Sequence, residues 1–378
     1  MRARKRVVTS AGGPATRPKR TPTVRRVKSA IVPIDRSRPR PTVSRAPEVA
    51  TAAAREVDLS VDLSVDLGRG LVLRNPLLGA SGAYGFGVEV ADSVGLDAFG
   101  AIVTRSLTLR ARTGNAPPRM VEVPAGVLNG VGLQNPGVDV AIERYAGAWA
   151  GWRTPVIVSV AGELVADVVA IVGRLEGVPG VAGVEVNLAY SNAAHGGLAF
   201  GLDPEAAGGL IAAVRRATDL PLIAKLSPHA EDLRAVARAV ADAGADAISA
   251  INTLPGLALA ADRTRPALGS IYGGLSGPAI RPLALRVVFE IAQSVDVPIV
   301  GVGGVGSIDD VLDFLAVGAA AVGLATAALA EPGLPGRLAV ELAEHCRGLG
   351  LESHRSLVRQ AVPRRPVPPS TKGAEYRL

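Results

Sequence analysis

Short apolar runs alternate with amphipathic stretches along most of the chain. The runs are rich in Val, Ile, Leu and Ala and predict buried β-strands. They lie at Pro76–Ala80, Ala101–Thr104, Pro155–Ser159, Gly183–Asn187, Pro221–Leu226, Ala247–Ile251, Pro298–Val302 and Ala321–Leu324. The stretches between them predict helices. In 230–244, for example, apolar residues recur at i, i+3, i+4 and i+7, and Gly244 closes the segment.

Eight strand–helix alternations over about 270 residues predict an α/β protein, a (β/α)₈ TIM barrel. A doubly wound open sheet is the alternative, and it would gather its site at one switch point. Here polar or small residues follow five different strands, which favours a barrel mouth. They are Asn187, Lys225, Asn252, Gly303 and Thr326. Residues 57–68 alternate Val or Leu with Asp or Ser, and we expect them to cross the barrel floor.

The composition fits this fold and excludes several classes of protein. Of the residues, 48% are hydrophobic but only 3% are aromatic, so the core is built from small aliphatic side chains. No apolar run reaches the roughly 18 residues that would suggest a membrane span. Cys346 is the single cysteine, which excludes a disulfide framework and a cysteine-based metal site. The four histidines show no metal-binding spacing, so we expect no metal. The single cysteine fits a reducing compartment, so we expect a cytoplasmic location.

The net charge of +7 belongs to one end of the chain. Residues 1–55 carry 15 Lys or Arg against two acids, a net charge of +13, whereas the remainder has 26 basic and 32 acidic residues, a net charge of −6. We expect a disordered basic Arg/Pro-rich segment at 1–55, a barrel at 56–362 and a flexible tail at 363–378. The basic segment is interpreted as a dispensable extension, or a start codon placed too far upstream, in preference to a tether for nucleic acid or an acidic partner.

The predicted strand ends carry amides, one lysine and Gly-rich turns. Four asparagines suit a ring with alternating carbonyl and N–H edges, and Lys225 suits an anion or a reduced cofactor. These asparagines are Asn129, Asn187, Asn192 and Asn252. The Gly-rich loop 273–278, the segment 301–305 and the turn 325–327 predict one phosphate site, because such a site recurs after the last two strands of these barrels.

In aggregate, motifs over about residues 57–360 resemble the class 1 dihydroorotate dehydrogenases. The matching segments are Asn75-Pro76, Ala80-Ser81-Gly82, Gly114-Asn115, Leu128-Asn129, Gly132 to Gly137, Lys225 to Pro228, Ile251 to Thr253, Gly273 to Ile280 and Gly301 to Val305. The loop with Gln134 resembles the corresponding loop in the catalytic subunit of the NAD-linked, two-subunit subclass.

The resemblance implies FMN in the mouth of the barrel and a dihydroorotate-like substrate beside it. The ring would lie near Ala80, Ser81, Ser106, Asn187, Lys225 and Ile251. The phosphate would lie near Gly277, Gly303, Gly304, Ala325 and Thr326. The substrate would contact Arg105, Asn129, Gly132, Leu133, Asn192, Asn252 and Thr253.

The chain departs from the family pattern at the residue that removes a substrate proton. The family sequence Asn-x-Ser-Cys-Pro-Asn is Asn187-Leu188-Ala189-Tyr190-Ser191-Asn192 here, so Tyr190 occupies the cysteine position. Arg105 replaces the family's lysine after the second strand, and His229 replaces its asparagine after Pro228. Ala325 replaces a glycine of the family's phosphate loop.

Three functions follow from these residues. The first is an FMN-dependent oxidoreductase acting on CH–CH groups in pyrimidine biosynthesis. In this function Tyr190 (or Ser191) is the base, and Arg105 and Lys225 are the cations that lower the pKa of the base. The second is a divergent paralogue that acts on another substrate, and the third is a non-catalytic flavin-binding protein. An NAD-linked enzyme would also need a separate reductase subunit. A homo-oligomer is left open, and no membrane partner is expected.

The segment 1–55 should be unnecessary for folding and flavin binding, because it has no apolar periodicity and carries the charge excess. A chain beginning at Val57 should therefore be soluble and yellow. Its absorption spectrum is compared with that of the full chain. Loss of flavin on truncation would show that the segment belongs to the folded unit.

Overall fold

The fourteen strands of the described residues fall into a barrel, a hairpin and a small second sheet. In this computed structural model, residues 61–91, 93–189 and 199–363 are described. The strands are β1 (Val65–Asp66), β2 (Val72–Leu73), β3 (Leu77–Gly79), β4 (Ala101–Val103), β5 (Met120–Val123), β6 (Gly126–Asn129), β7 (Val156–Val160), β8 (Val181–Asn187), β9 (Leu222–Lys225), β10 (Ala247–Ala250), β11 (Leu254–Gly256), β12 (Gly273–Ser276), β13 (Ile299–Val302) and β14 (Ala321–Leu324).

The α-helices found in the same residues form the outer layer of the fold. They are α1 (Val138–Gly151), α2 (Val165–Leu175), α3 (Pro204–Arg215), α4 (Leu233–Asp242), α5 (Arg281–Ala292), α6 (Ile308–Ala316), α7 (Thr326–Ala330) and α8 (Leu334–Gly348). Their buried faces are mainly aliphatic, with Trp149 on α1 and Phe314 on α6 as the buried aromatic side chains. The α4 residues Leu233, Val236, Ala237 and Val240, which the periodicity predicts on one face, are all buried.

Eight parallel strands close into a barrel in the order β3, β4, β7, β8, β9, β10, β13, β14. The last strand pairs with the first, with Val322 opposite Leu77, so the open-sheet alternative is excluded. All eight predicted strands form, each within a few residues of the predicted bounds. The (β/α)₈ fold is confirmed.

The segment 65–73 closes the floor of the barrel. β1 and β2 pair as a short antiparallel hairpin. Its apolar residues share a buried cluster with strand residues that point into the barrel. The hairpin contributes Val65, Leu67, Leu71 and Leu73, and the barrel contributes residues such as Leu78, Ala101, Ile157, Ala247 and Ala321. The predicted position is therefore confirmed for residues 65–68, whereas Val61 and Leu63 belong to the other, larger core cluster.

A four-stranded antiparallel sheet, in the order β11, β12, β6, β5, is a feature that local patterns do not predict. The Gly-rich segment 273–276, which the sequence predicts to be a loop, forms β12. The correction has a physical reason: β12 pairs with β6, with Gly274 opposite Asn129, and this pairing joins residues far apart in the chain.

In the described ranges, no helix has the length and apolarity needed to cross a bilayer. The expectations for residues 1–55, for the tail beyond Pro363, and for Tyr190, Ser191 and Asn192 lie outside the described residues.

Candidate active site

An open cleft lies at the C-terminal ends of the barrel strands. Predicted site residues from the ends of five barrel strands and from the turn after β12 line it together. They are Ala80, Ser81, Lys225, Ile251, Asn252, Thr253, Gly277, Gly303, Gly304, Ala325 and Thr326.

Five more lining residues belong to the segments that the sequence predicts for a phosphate site, namely Ser276, Pro278, Val302, Val305 and Ala327. Ile280 and Gly323 also line the cleft, and the sequence reasoning missed them. They carry no polar side chain, and Gly323 lies within a predicted strand, so no local signal marks them as site residues. Thr326 Oγ1 and Ser276 Oγ lie 2.8 Å apart, which joins β12 to the turn after β14.

Lys225 is the central charged group of the cleft. Its side chain is buried, with the residue only 4% exposed, and its Nζ donates to Ser81 Oγ at 3.2 Å. Among the described residues, no carboxylate lies within 4 Å of this ammonium, and Ser81 is its one hydrogen-bond partner. A lysine ammonium has three donors, and a buried donor without an acceptor is costly. The arrangement therefore suits an anionic or electron-rich ligand in the cleft.

A row of hydrogen-bonded side chains crosses the mouth beside Lys225. Ser159 Oγ and Ser106 Oγ are 2.9 Å apart, and Asn187 Nδ2 donates to Ser106 Oγ at 3.4 Å. Asn252 Nδ2 donates to Asn187 Oδ1 at 3.3 Å, and Asn252 Oδ1 accepts from the Thr253 N–H at 2.8 Å. Each hydrogen bond in the row fixes the orientation of the side chains that it joins. The two amides are thus held in one orientation before any ligand binds.

The other end of the cleft is built from glycines in the left-handed region of backbone conformation. The φ angles are +100° at Gly277 and +77° at Gly304. A Cβ at Gly304 would lie 2.8 Å from both the Gly277 carbonyl oxygen and Arg281 Cβ. Glycine is required here by conformation and by packing, so these turns carry no side chain that would fill this part of the cleft.

The start of α6 holds this Gly-rich turn in place. Ser307 Oγ accepts from the Asp310 N–H, and the Asp310 carboxylate accepts from the Gly306 and Ser307 N–H groups at 2.9 and 3.0 Å. Asp310 also pairs with Arg281 of α5. Gly306 and Ser307 are therefore fixed by Asp310 of α6, which is itself held by Arg281 of α5.

Some predicted site residues do not line the cleft. Asn129 lies at the end of β6, where its Nδ2 donates to the Gly274 carbonyl at 3.2 Å. Gly132 and Leu133 lie in the loop that follows β6, and the Leu133 carbonyl accepts from Asn135 Nδ2 at 2.7 Å. These contacts leave the three residues on the antiparallel sheet and its loop, outside the cleft wall.

Arg105 lies on the turn after β4, against the turn that follows β3. Its Nη2 donates to the Gly82 carbonyl at 3.4 Å, and its backbone N–H donates to the Gly85 carbonyl at 2.7 Å. Burial lowers the pKa of this guanidinium, and the nearby Glu89 carboxylate opposes that effect. Arg105 is thus a partly desolvated cation one turn away from Ser81. Tyr190 and Asn192 lie outside the described residues.

The family model and the relatives that match this chain carry the same enzyme name. Residues 64–345 match the family model described as "Dihydroorotate dehydrogenase". The chain is 46% identical over 289 residues to the "Dihydroorotate dehydrogenase B (NAD(+)), catalytic subunit" of Desulforudis audaxviator, covering 76% of this chain and 94% of that protein. It is 43% identical over 301 residues to the Geobacter sulfurreducens protein of the same name, covering 80% and 97% of the two chains. For the Pelobacter propionicus protein of that name, identity is 48% over 263 residues, with 70% and 86% covered.

The glycine requirement at the cleft can be tested with two alanine substitutions in one turn. Gly304→Ala should lower the free energy of unfolding by about 1–3 kcal/mol, because alanine must adopt a positive φ and its Cβ meets backbone. Gly306→Ala is the matched control, since its Cβ would make an ordinary 3.5 Å contact with Ala327. Denaturant unfolding measures both. Equal stabilities for the two variants would contradict this account of the turn.

Proposed function

The chain belongs to the dihydroorotate dehydrogenase family, and from that premise we propose that it oxidises dihydroorotate, or a similar cyclic amide, to the C=C product. Its family makes it an FMN-dependent oxidoreductase acting on CH–CH groups. The observation that carries the proposal to this cleft is the buried Lys225 ammonium at the mouth of a closed barrel, with Ser81 as its one hydrogen-bond acceptor among the residues that the structure describes.

The residues of the cleft fit FMN. Its ring is electron-rich at the carbonyl and nitrogen edge, which suits the Lys225 ammonium. We assign the ring to the end of the cleft with Lys225, and the phosphate to the opposite end, where the turns lack side chains. The assigned ring contacts are Ala80, Ser81, Ser106, Asn187, Lys225 and Ile251, and the assigned phosphate contacts are Gly277, Gly303, Gly304, Ala325 and Thr326. When bound, FMN supplies the acceptor for a hydride.

The chain's own side chains bind and orient the substrate and remove its proton. Asn252 and Thr253 present an oriented amide and a hydroxyl to the cleft. On the family resemblance alone, we also assign Arg105, Asn129, Gly132, Leu133 and Asn192 to the substrate, although the first four do not line the cleft and Asn192 lies outside the described residues. Tyr190, at the position of the family's cysteine, is proposed to take the proton beside the leaving hydride. A phenol has an ordinary pKa near 10, and cations lower it. Arg105 and Lys225 are the proposed cations.

A second candidate function has a specific observation in its favour. Four positions at the predicted mouth differ from the family pattern, namely Arg105, Tyr190, His229 and Ala325. Such a cluster of changes favours a paralogue that oxidises or reduces a different substrate with the same cofactor. Turnover with dihydroorotate and an artificial electron acceptor separates the two functions. Flavin content of the purified protein separates both from a non-catalytic binder.

The reduced cofactor must pass its electrons to an acceptor. Several relatives carry the name "Dihydroorotate dehydrogenase B (NAD(+)), catalytic subunit". We propose that this chain likewise works with a separate electron-transfer subunit, in the cytoplasm. The buried Cys346 is the single cysteine of the chain, so the chain has no cysteine set of its own for an iron–sulfur centre.

The bound flavin should be FMN, because the cleft offers one phosphate site and the sequence lacks a Gly-x-Gly-x-x-Gly dinucleotide fingerprint. The purified protein is heated, and the released cofactor is run by chromatography against FMN and FAD standards. FAD in the supernatant, or a colourless protein that takes up no added FMN, would contradict the assignment.

The proposed base is tested by substitution at Tyr190. If the phenol removes the proton, Tyr190→Phe should slow flavin reduction by dihydroorotate about 10²-fold or more, with FMN still bound. In the parent, the rate should rise with pH along one ionisation, since the deprotonated form is the base. Stopped-flow bleaching of the flavin measures both effects.

Tyr190→Cys is the matched variant, because it restores the family residue and should keep activity with dihydroorotate. A Tyr190→Phe protein as fast as the parent would exclude acid–base chemistry at Tyr190.

A further inference from the structure

A small cavity inside the barrel lies next to the cleft and shares part of its wall. Ala80, Lys225, Val302 and Gly323 line both spaces. The rest of the cavity wall is apolar except for two side chains, Glu185 on β8 and Ser249 on β10. In the described part of the chain, Glu185 is the one carboxylate and Lys225 the one cation that line either space.

These two polar side chains are buried without partners. Glu185 and Ser249 are each only 2% exposed. Glu185 Oε1 and Ser249 Oγ have no hydrogen-bond partner among the described residues, and no basic side chain of those residues lies within 4 Å of the Glu185 carboxylate. A buried carboxylate without a donor is strongly unfavourable, so a polar ligand in the cavity would stabilise this arrangement.

The strand register places both groups next to Lys225. Ser249 of β10 is the register partner of Lys225 on β9. Glu185 of β8 is the partner of Ile223, two residues before Lys225, and side chains two apart on a strand point to the same face. Glu185 therefore lies one layer further into the barrel than Lys225, on the neighbouring strand.

We propose that Glu185 and Ser249 hold one internal water that also accepts from the Lys225 ammonium. An internal water needs two to four polar partners, and the cavity has room for about one water. Through this water, the Glu185 carboxylate is the counter-charge of Lys225. Ser249 Oγ supplies the remaining hydrogen bond.

The consequence for the cofactor rests on the proposed function. A negative charge behind Lys225 weakens the attraction of that ammonium for negative charge in the cleft. Glu185 is thus a positioning residue that acts through Lys225. It makes the midpoint potential of the bound flavin more negative than Lys225 alone would set it.

The water itself is tested on the unaltered protein. A high-resolution crystal structure should show one ordered water within hydrogen-bonding distance of the Glu185 carboxylate, Ser249 Oγ and Lys225 Nζ. A dry cavity, or a direct contact between Glu185 and Lys225, would overturn the proposal. This test needs no variant and no flavin, so it stands even if the proposed function fails.

The charge is tested by the midpoint potential of the flavin in the FMN-loaded protein. Glu185→Gln should make that potential more positive, raising the ratio of reduced to oxidised flavin about ten-fold at a fixed electrode potential. Glu344→Gln, which removes the same charge from the exposed side of α8, should leave the ratio unchanged. Ser249→Ala removes a partner of the water but no charge, so its shift should be the smaller one.

An unshifted potential in a Glu185→Gln protein that binds FMN would show that Glu185 is not the counter-charge. A parent protein that binds no FMN would instead refute the proposed function. If Glu185→Gln does not fold, the presence or absence of the crystallographic water decides the proposal.

Discussion

A lysine ammonium that is removed from water at the mouth of a closed barrel must be matched by its surroundings, and that constraint organises this molecule. Lys225 ends β9, is almost fully buried and has one hydrogen-bond partner, Ser81, within the described ranges. Burying a charge in this way is unfavourable unless a ligand or counter-charge completes the arrangement. The cleft on one side of Lys225 and the cavity with Glu185 on the other are the two places where that compensation can occur.

Barrel closure makes the constraint possible. Because β14 pairs with β3, the ends of all eight strands face one mouth, and groups distant in sequence become neighbours there. The hairpin β1–β2 fills the opposite end with aliphatic side chains. The floor of the barrel is therefore filled by packed aliphatic side chains. The polar groups lie at the mouth, where a hydrogen bond between Asn252 and Asn187 orients both amides.

Much of this arrangement could be predicted from the sequence, because parallel barrel strands are short apolar runs and their ends carry the functional residues. Lys225, Asn252 and the glycines at 303–304 were found in that way, and they line one cleft. The antiparallel sheet could not be predicted, since β6 and β12 pair across a large sequence separation with no periodic signal of their own. Glu185 was also missed as a site residue, because a single acid inside an apolar strand shows its lack of partners only in three dimensions.

The central claim is that the cleft beside Lys225 is the flavin site, and a crystal structure of the FMN-loaded protein tests it most directly. The account predicts the flavin ring within hydrogen-bonding distance of Lys225 Nζ, about 2.7–3.2 Å, with the phosphate between the turns at Gly277, Gly303 and Thr326. A flavin bound elsewhere on the chain, or a ring in this cleft without contact to Lys225, would contradict it.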